Sequence, residues 1–133
     1  MLKIFGIGTD IVAVSRIQEN LTKHKEKFIQ RILSDKEQEN LPNEIHLATY
    51  LAKRFAGKEA FAKALGTGIA NGLAFNQISI LNDERGQPFV ECSGKALELI
   101  SQKQIQDIKI SLSDEKEFAL AFVILIINNE RSE

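Results

Sequence analysis

Two carboxylates, Asp10 and Glu59, stand where the surrounding pattern calls for apolar side chains, and a lysine, Lys63, lies one helical turn after the second. Asp10 lies in the run 2–12, which reads as a strand buried on both faces: Phe5, Ile7 and Ile11 point one way, and Leu2, Ile4, Gly6, Gly8, Asp10 and Val12 the other. A carboxylate there is costly unless a cation or a metal pairs with it. Gly6 and Gly8 on its own face leave room for a ligand or another backbone. The competing reading is a strand-end Asp that caps the next helix. Glu59 follows Phe55 by four residues and precedes Ala62 by three, so it shares a helix face with apolar neighbours. Lys63 is one turn further on. The pair could be an ordinary i,i+4 contact, worth only ~0.3–0.5 kcal/mol. Gly66-Thr67-Gly68 follows after Ala64 and Leu65, and a lysine next to a glycine turn can hold phosphate oxygens through its charge and exposed backbone N–H groups. Helices also commonly stop at Gly. Together these residues suit Mg2+-assisted chemistry at phosphate, because magnesium favours a few carboxylates, waters and phosphate oxygens, with cations offsetting charge on those oxygens.

The elements that must position these residues form an α+β pattern: an antiparallel sheet packed against one long helix and several shorter ones. The long helix is expected over 44–65, with Leu51, Phe55, Ala62 and Leu65 recurring at helical spacing and glycines at its end. Helical pieces are expected at 13–20, 24–32, 34–40 and 94–103. A hairpin over 78–91 turns through 82–87. The alternation at 108–112 and the apolar run starting at Phe118 predict a final antiparallel pair.

The 133 residues, 44% hydrophobic and 26% charged, suit one domain spanning 1–133, and a single Cys excludes an intrachain disulfide. No apolar run approaches the ~20 residues of a membrane span, and the first residues lack the layout of a secretion signal, so a cytoplasmic protein is expected. The net charge of −1 implies no bulk affinity for nucleic acid or membrane. It hides two basic segments: residues 15–31 and 49–66 each carry +3, leaving eight cations against fifteen acids elsewhere. His24, His46 and Cys92 lack metal-ligand spacing and read as structural or surface residues.

Two motifs carry a resemblance. Gly6-Ile7-Gly8-Thr9-Asp10-Ile11-Val12 and the stretch from Arg54-Phe55-Ala56-Gly57-Lys58-Glu59 through Lys63 to Gly66-Thr67-Gly68 resemble, in order and spacing, the bacterial holo-acyl-carrier-protein synthases, the small type of 4′-phosphopantetheinyl transferase. Arg31-Ile32-Leu33-Ser34 and Asn71-Gly72-Leu73-Ala74-Phe75 support the match, which spans essentially the whole chain. The resemblance implies transfer of the phosphopantetheine arm of coenzyme A to a serine of an acyl carrier protein, with release of adenosine 3′,5′-bisphosphate, in fatty acid biosynthesis. Asp10 and Glu59 match the family's magnesium ligands. Lys63 matches its lysine at the coenzyme A pyrophosphate, and Arg54, Gly66, Thr67 and Gly68 match adjoining coenzyme A positions. The serine's proton would pass to Glu59 or to a water.

Arg16, Lys27, Phe28 and Arg31 match or closely replace the family's carrier-docking residues, joining cations that steer an acidic partner to an apolar anchor. The alternative is a solvated helix face with Phe28 in the core. Family members form homotrimers with sites at subunit interfaces, so a homotrimer is expected. Many members carry His after the Ser/Thr-rich stretch of the penultimate strand. Here Asp114 follows Ser111-Leu112-Ser113, and an acid cannot replace an imidazolium at phosphate. The competing function class is a non-catalytic module that binds coenzyme A or an acidic protein.

Overall fold

A computed structural model of the chain describes residues 1–128. In order it contains β1 (Leu2–Ala13), α1 (Val14–Ile32), α2 (Asp35–Gln38), α3 (Glu44–Leu65), β2 (Ile78–Asn82), β3 (Pro88–Cys92), α4 (Gly94–Gln102), β4 (Ile105–Glu115) and β5 (Phe118–Asn128). The α+β architecture agrees with the sequence pattern, but the strands divide into two sheets. One has the order β1-β5-β4 and the other is the β2-β3 hairpin, all antiparallel.

α3 is the axis of the molecule. Asn43 caps its start, its side chain accepting from the His46 N–H, and Gly66, in the left-handed region at φ 84°, ends it. Leu51, Ala52, Ala56, Ala60, Phe61 and Ala62 are fully buried, because the helix is covered by the three-stranded sheet on one side and by α1 and β2 elsewhere. Its alanines meet glycines on β1. A Cβ on Gly8 would stand 2.0 Å from the Ala60 carbonyl oxygen, and one on Gly6 would stand 2.1 Å from that of Ala64. The glycines beside Asp10 therefore make room for the helix backbone, the second of the two uses expected for them.

β1 is not buried on both faces within this chain. Its inner face packs on α3 with Ala119, Ala121, Val123 and Leu125 of β5, while the outer face leaves Ile7 59% and Ile11 62% exposed. Leu120 and Phe122 stand opposite Ile11 and Thr9 on that outer face and are exposed as well. A bulge between Ile4 and Gly6 resets the alternation, so Ile4 pairs with Ile126 and is exposed rather than facing inward with Gly6. On β4 the outward positions are the polar Lys109, Ser111 and Ser113, which bound the apolar patch.

α1 is two helical pieces joined at a kink, as the expected pieces at 13–20 and 24–32 imply: His24 leaves the helical conformation at φ −144° and ψ 50°, and Leu21 before it and Phe28 after it both enter the core. The segment expected as helix over 34–40 shortens to α2, opened by a capping box in which Ser34 and Glu37 exchange hydrogen bonds.

Candidate active site

Asp10 and Lys63 meet at the seam between β1 and α3. Lys63 Nζ lies 3.1 Å from Asp10 Oδ1 and donates to the Thr9 carbonyl at 2.9 Å. Glu59, one helical turn earlier, shares the site: burial raises its carboxyl above the usual range, the negative charge of Asp10 raises it further, and Lys63 and Arg16 oppose the rise. The cation foreseen for Asp10 is therefore Lys63. Asp10 makes no helix cap, since the residue before α1 is Ala13 and offers no side-chain bond.

Glu59 and Lys63 border a cavity of about 490 Å³. Phe28, Phe55, Phe75, Ile17 and Ile69 give it apolar walls, and Arg16 and Arg31 add positive charge. Of the four docking candidates, Arg16, Phe28 and Arg31 meet here, whereas Lys27 is exposed and does not border the cavity. Phe28 belongs to the core, 8% exposed, and shows only its remaining surface to the cavity.

The glycine turn departs from expectation in one respect. The N–H groups of Gly66, Thr67 and Gly68 all return to the Ala62 carbonyl at 3.1, 3.2 and 3.3 Å, that of Gly66 also reaching Lys63 O. They close the helix and are not available to hold phosphate through the backbone, because a helix C-terminus leaves carbonyls needing donors. Gly68 nonetheless borders the cavity, and the space beside the α-carbons of Gly66 and Gly68 is open.

Arg54 is not brought to this cavity. Five residues from Glu59, it points to a different side of α3, where it is 94% buried. Its guanidinium lies 4.1 Å from the Tyr50 ring centre, and Nη2 donates to Asn82 Oδ1 at 2.7 Å. Its Nε has no hydrogen-bond partner among the described residues. A second cavity, of about 410 Å³, lies between Arg54, Tyr50, Lys36 and the β2-β3 hairpin. Next to it Lys53 pairs with Asp114 at 3.0 Å, a partly exposed contact.

Sequence reasoning missed a buried ion pair behind the site. Lys58 and Glu37 are fully buried, 2.6 Å apart. Glu37 also accepts from the N–H groups of Ser34 and Ile80, and Lys58 donates to the Ile32 carbonyl. This network ties α1, α2, β2 and α3 together directly behind Glu59. Two signals were present: Lys58 falls midway between Leu51 and Leu65 at spacings of seven, on the buried stripe, and Ser34-Asp35-Lys36-Glu37 has the capping-box pattern. Burial drives the Lys58 ammonium down to about 8, with Glu37 opposing the fall.

Asp10 and Glu59 are two carboxylates on one site, and among the described residues no group of three or more His, Cys, Asp or Glu could hold a metal. Such a donor set does not suit a closed structural metal cage. It suits a hard divalent cation that keeps waters and takes further oxygens from a substrate. The cysteine gives no alternative, since burial pushes the Cys92 thiol up to about 11.

Comparison with known proteins agrees with this geometry. Residues 6–123 match the model of the 4′-phosphopantetheinyl transferase superfamily. The chain is 48% identical over 122 residues to the holo-[acyl-carrier-protein] synthase of Vibrio cholerae, covering 92% of this chain and 97% of that one. The crystal structure of the Neisseria meningitidis holo-[acyl-carrier-protein] synthase superposes with a TM-score of 0.86 at 41% identity, over 92% of this chain and 98% of that chain. The Bacillus anthracis synthase, solved in complex with CoA (3′,5′-ADP), superposes with a TM-score of 0.79 at 36% identity, covering 94% and 98%. With most of its length matched in sequence and fold, the chain belongs to the 4′-phosphopantetheinyl transferase superfamily.

Proposed function

We propose that the chain, as one domain over 1–133, transfers the 4′-phosphopantetheine group of coenzyme A to a serine of an apo-acyl carrier protein, in the cytoplasm and in fatty acid biosynthesis. The observation that carries this reading is that Glu59 and Lys63 border one cationic, apolar-walled cavity while Asp10, from the neighbouring strand, pairs with Lys63 and acts on the charge of Glu59. The alternative, a module that only binds, does not call for two carboxylates beside a phosphate-directed lysine.

In the reaction the serine oxygen forms a bond to the phosphorus that bears pantetheine. The bond from that phosphorus to the bridging pyrophosphate oxygen breaks, and the electron pair leaves with adenosine 3′,5′-bisphosphate. Glu59 borders the cavity and faces the entering hydroxyl, whose proton passes to it or to a water. Lys63 places a positive charge at the pyrophosphate and offsets the charge that grows on the departing oxygens. Asp10 holds Lys63 in place and, with Glu59, forms the site for Mg2+, which when bound neutralises phosphate oxygens. Arg16 and Arg31 attract the acidic carrier.

Arg54 would hold the nucleotide end of coenzyme A. Its buried guanidinium with an unpartnered Nε supports this, beside Lys53 and the hairpin. Because Arg54 and Glu59 face different sides of α3, one coenzyme A would use them together across an interface between two copies of the chain. The exposed apolar face of β1 and β5 supports self-association, and we propose the homotrimer that the family resemblance implies. The test is release of adenosine 3′,5′-bisphosphate from coenzyme A with Mg2+. Release that requires apo-carrier supports transfer, and binding of coenzyme A without release supports the binding module.

A further inference from the structure

Arg16 and Arg31 lie at opposite ends of α1, yet both lean on rings that touch. The Arg16 guanidinium is 5.8 Å from the centre of the Phe55 ring, Phe55 and Phe75 stack with centres 5.2 Å apart and planes 26° apart, and the Arg31 guanidinium is 5.9 Å from the centre of Phe75. The kink at His24 separates the two arginines along α1, and this chain of contacts keeps their guanidinium carbons at most about 17 Å apart. The charged ends thus converge on one cavity, which Phe55 and Phe75 also line. Neither guanidinium has a hydrogen bond or close ion pair among the described residues; Arg16 interacts with the charge of Glu59 at longer range, and the stacked rings are the contact that Arg16 and Arg31 share. An exposed arginine otherwise loses much rotamer freedom when it pairs with a partner's carboxylate, and a ring face that pre-orients it lowers that cost.

We propose that the Phe55–Phe75 stack is a positioning device for carrier docking: it presents Arg16 and Arg31 as a pre-set pair to the acidic surface of the incoming protein. This rests on the carrier-docking reading above. Phe55 comes from α3, which also carries Glu59 one turn later, so the same stack ties the spacing of the two cations to the reacting site.

The test is a double-mutant cycle read by titration of apo-carrier at low salt, with steady-state kinetics alongside. Phe75→Leu should weaken carrier affinity about two- to fivefold, the range of one lost cation–π contact. Phe75→Tyr, which keeps the ring face, should keep carrier affinity at the level of the unaltered chain. In an Arg31→Ala background Phe75→Leu should have almost no further effect on carrier affinity. Equal weakening with and without Arg31, in variants whose circular dichroism matches the unaltered chain, would overturn the proposal, because the ring would then act only by packing. The titration reads carrier binding directly, so a chain that binds carrier through this stack but transfers nothing would contradict the transferase reading and leave the positioning role supported.

Discussion

Lys63 Nζ sits 3.1 Å from Asp10 Oδ1, so one ammonium from the helix ties down a carboxylate of the strand. The contact joins residues 53 positions apart, and the lysine side chain remains 55% exposed, free to reach a second anion. Replacing Lys63 by Ala removes a charge aimed at the pyrophosphate. By analogy with the loss of one donor to a developing oxyanion, kcat should fall about 10²–10³-fold. Steady-state rates with saturating coenzyme A and carrier check this, and a loss below tenfold would remove Lys63 from the reacting site.

Glu59→Gln preserves shape and removes charge. It should reduce turnover at least about 10²-fold and weaken Mg2+ binding, with the melting temperature little changed. Calorimetric titration with Mg2+ reads the second effect without any turnover.

The direction of the Glu59 shift sets a pH dependence. Burial and Asp10 raise its carboxyl above the usual glutamate value, so the active carboxylate is lost, as pH falls, earlier than for an ordinary Glu. Arg16 opposes that rise, and Arg16→Ala should therefore move the acid limb of kcat/KM to higher pH besides raising the carrier KM. An acid limb that moves down, or stays, contradicts the electrostatic link between Arg16 and Glu59.

The Glu37–Lys58 pair gives a stability prediction. Lys58→Met leaves a carboxylate buried without its cation and should cost about 3–5 kcal/mol, whereas Glu37→Leu combined with Lys58→Met should recover most of that. The sign with pH follows from the lowered ammonium. Between about 8 in the folded chain and 10.5 unfolded, the unfolded state binds more protons, so this group's contribution makes stability rise with pH across that window. Urea unfolding of the unaltered and Lys58→Met chains at several pH values isolates the term.

Asp10 and Glu59 were legible because each breaks an apolar pattern, Lys63 because it lies one turn from Glu59 and shortly before a glycine turn, and the strand and long helix around them follow from periodicity. The β1 bulge and its exposed outer face were not, since an apolar run looks the same whether its second face meets the chain's own core or another molecule. The glycine turn was legible as a helix end but not as one whose N–H groups are already used, which depends on backbone geometry. Arg54 stood out by resemblance alone, and only the fold places it on another side of α3 from Glu59.

The exposed face carries its own test. Ile11→Asp puts a charge on an outer-face residue that is 62% exposed in the single chain. It should leave the monomer folded and shift sedimentation from trimer toward monomer, with loss of transfer. A variant that stays trimeric and fully active would show that this face is not the interface.

The central claim is transfer itself, and mass spectrometry of the carrier tests it most directly. With coenzyme A and Mg2+, the unaltered chain should add the mass of one phosphopantetheine group to the apo-carrier, on a serine, and Glu59→Gln should add almost none in the same time. A carrier whose mass stays unchanged with the unaltered chain, under conditions where coenzyme A binds, would contradict the account.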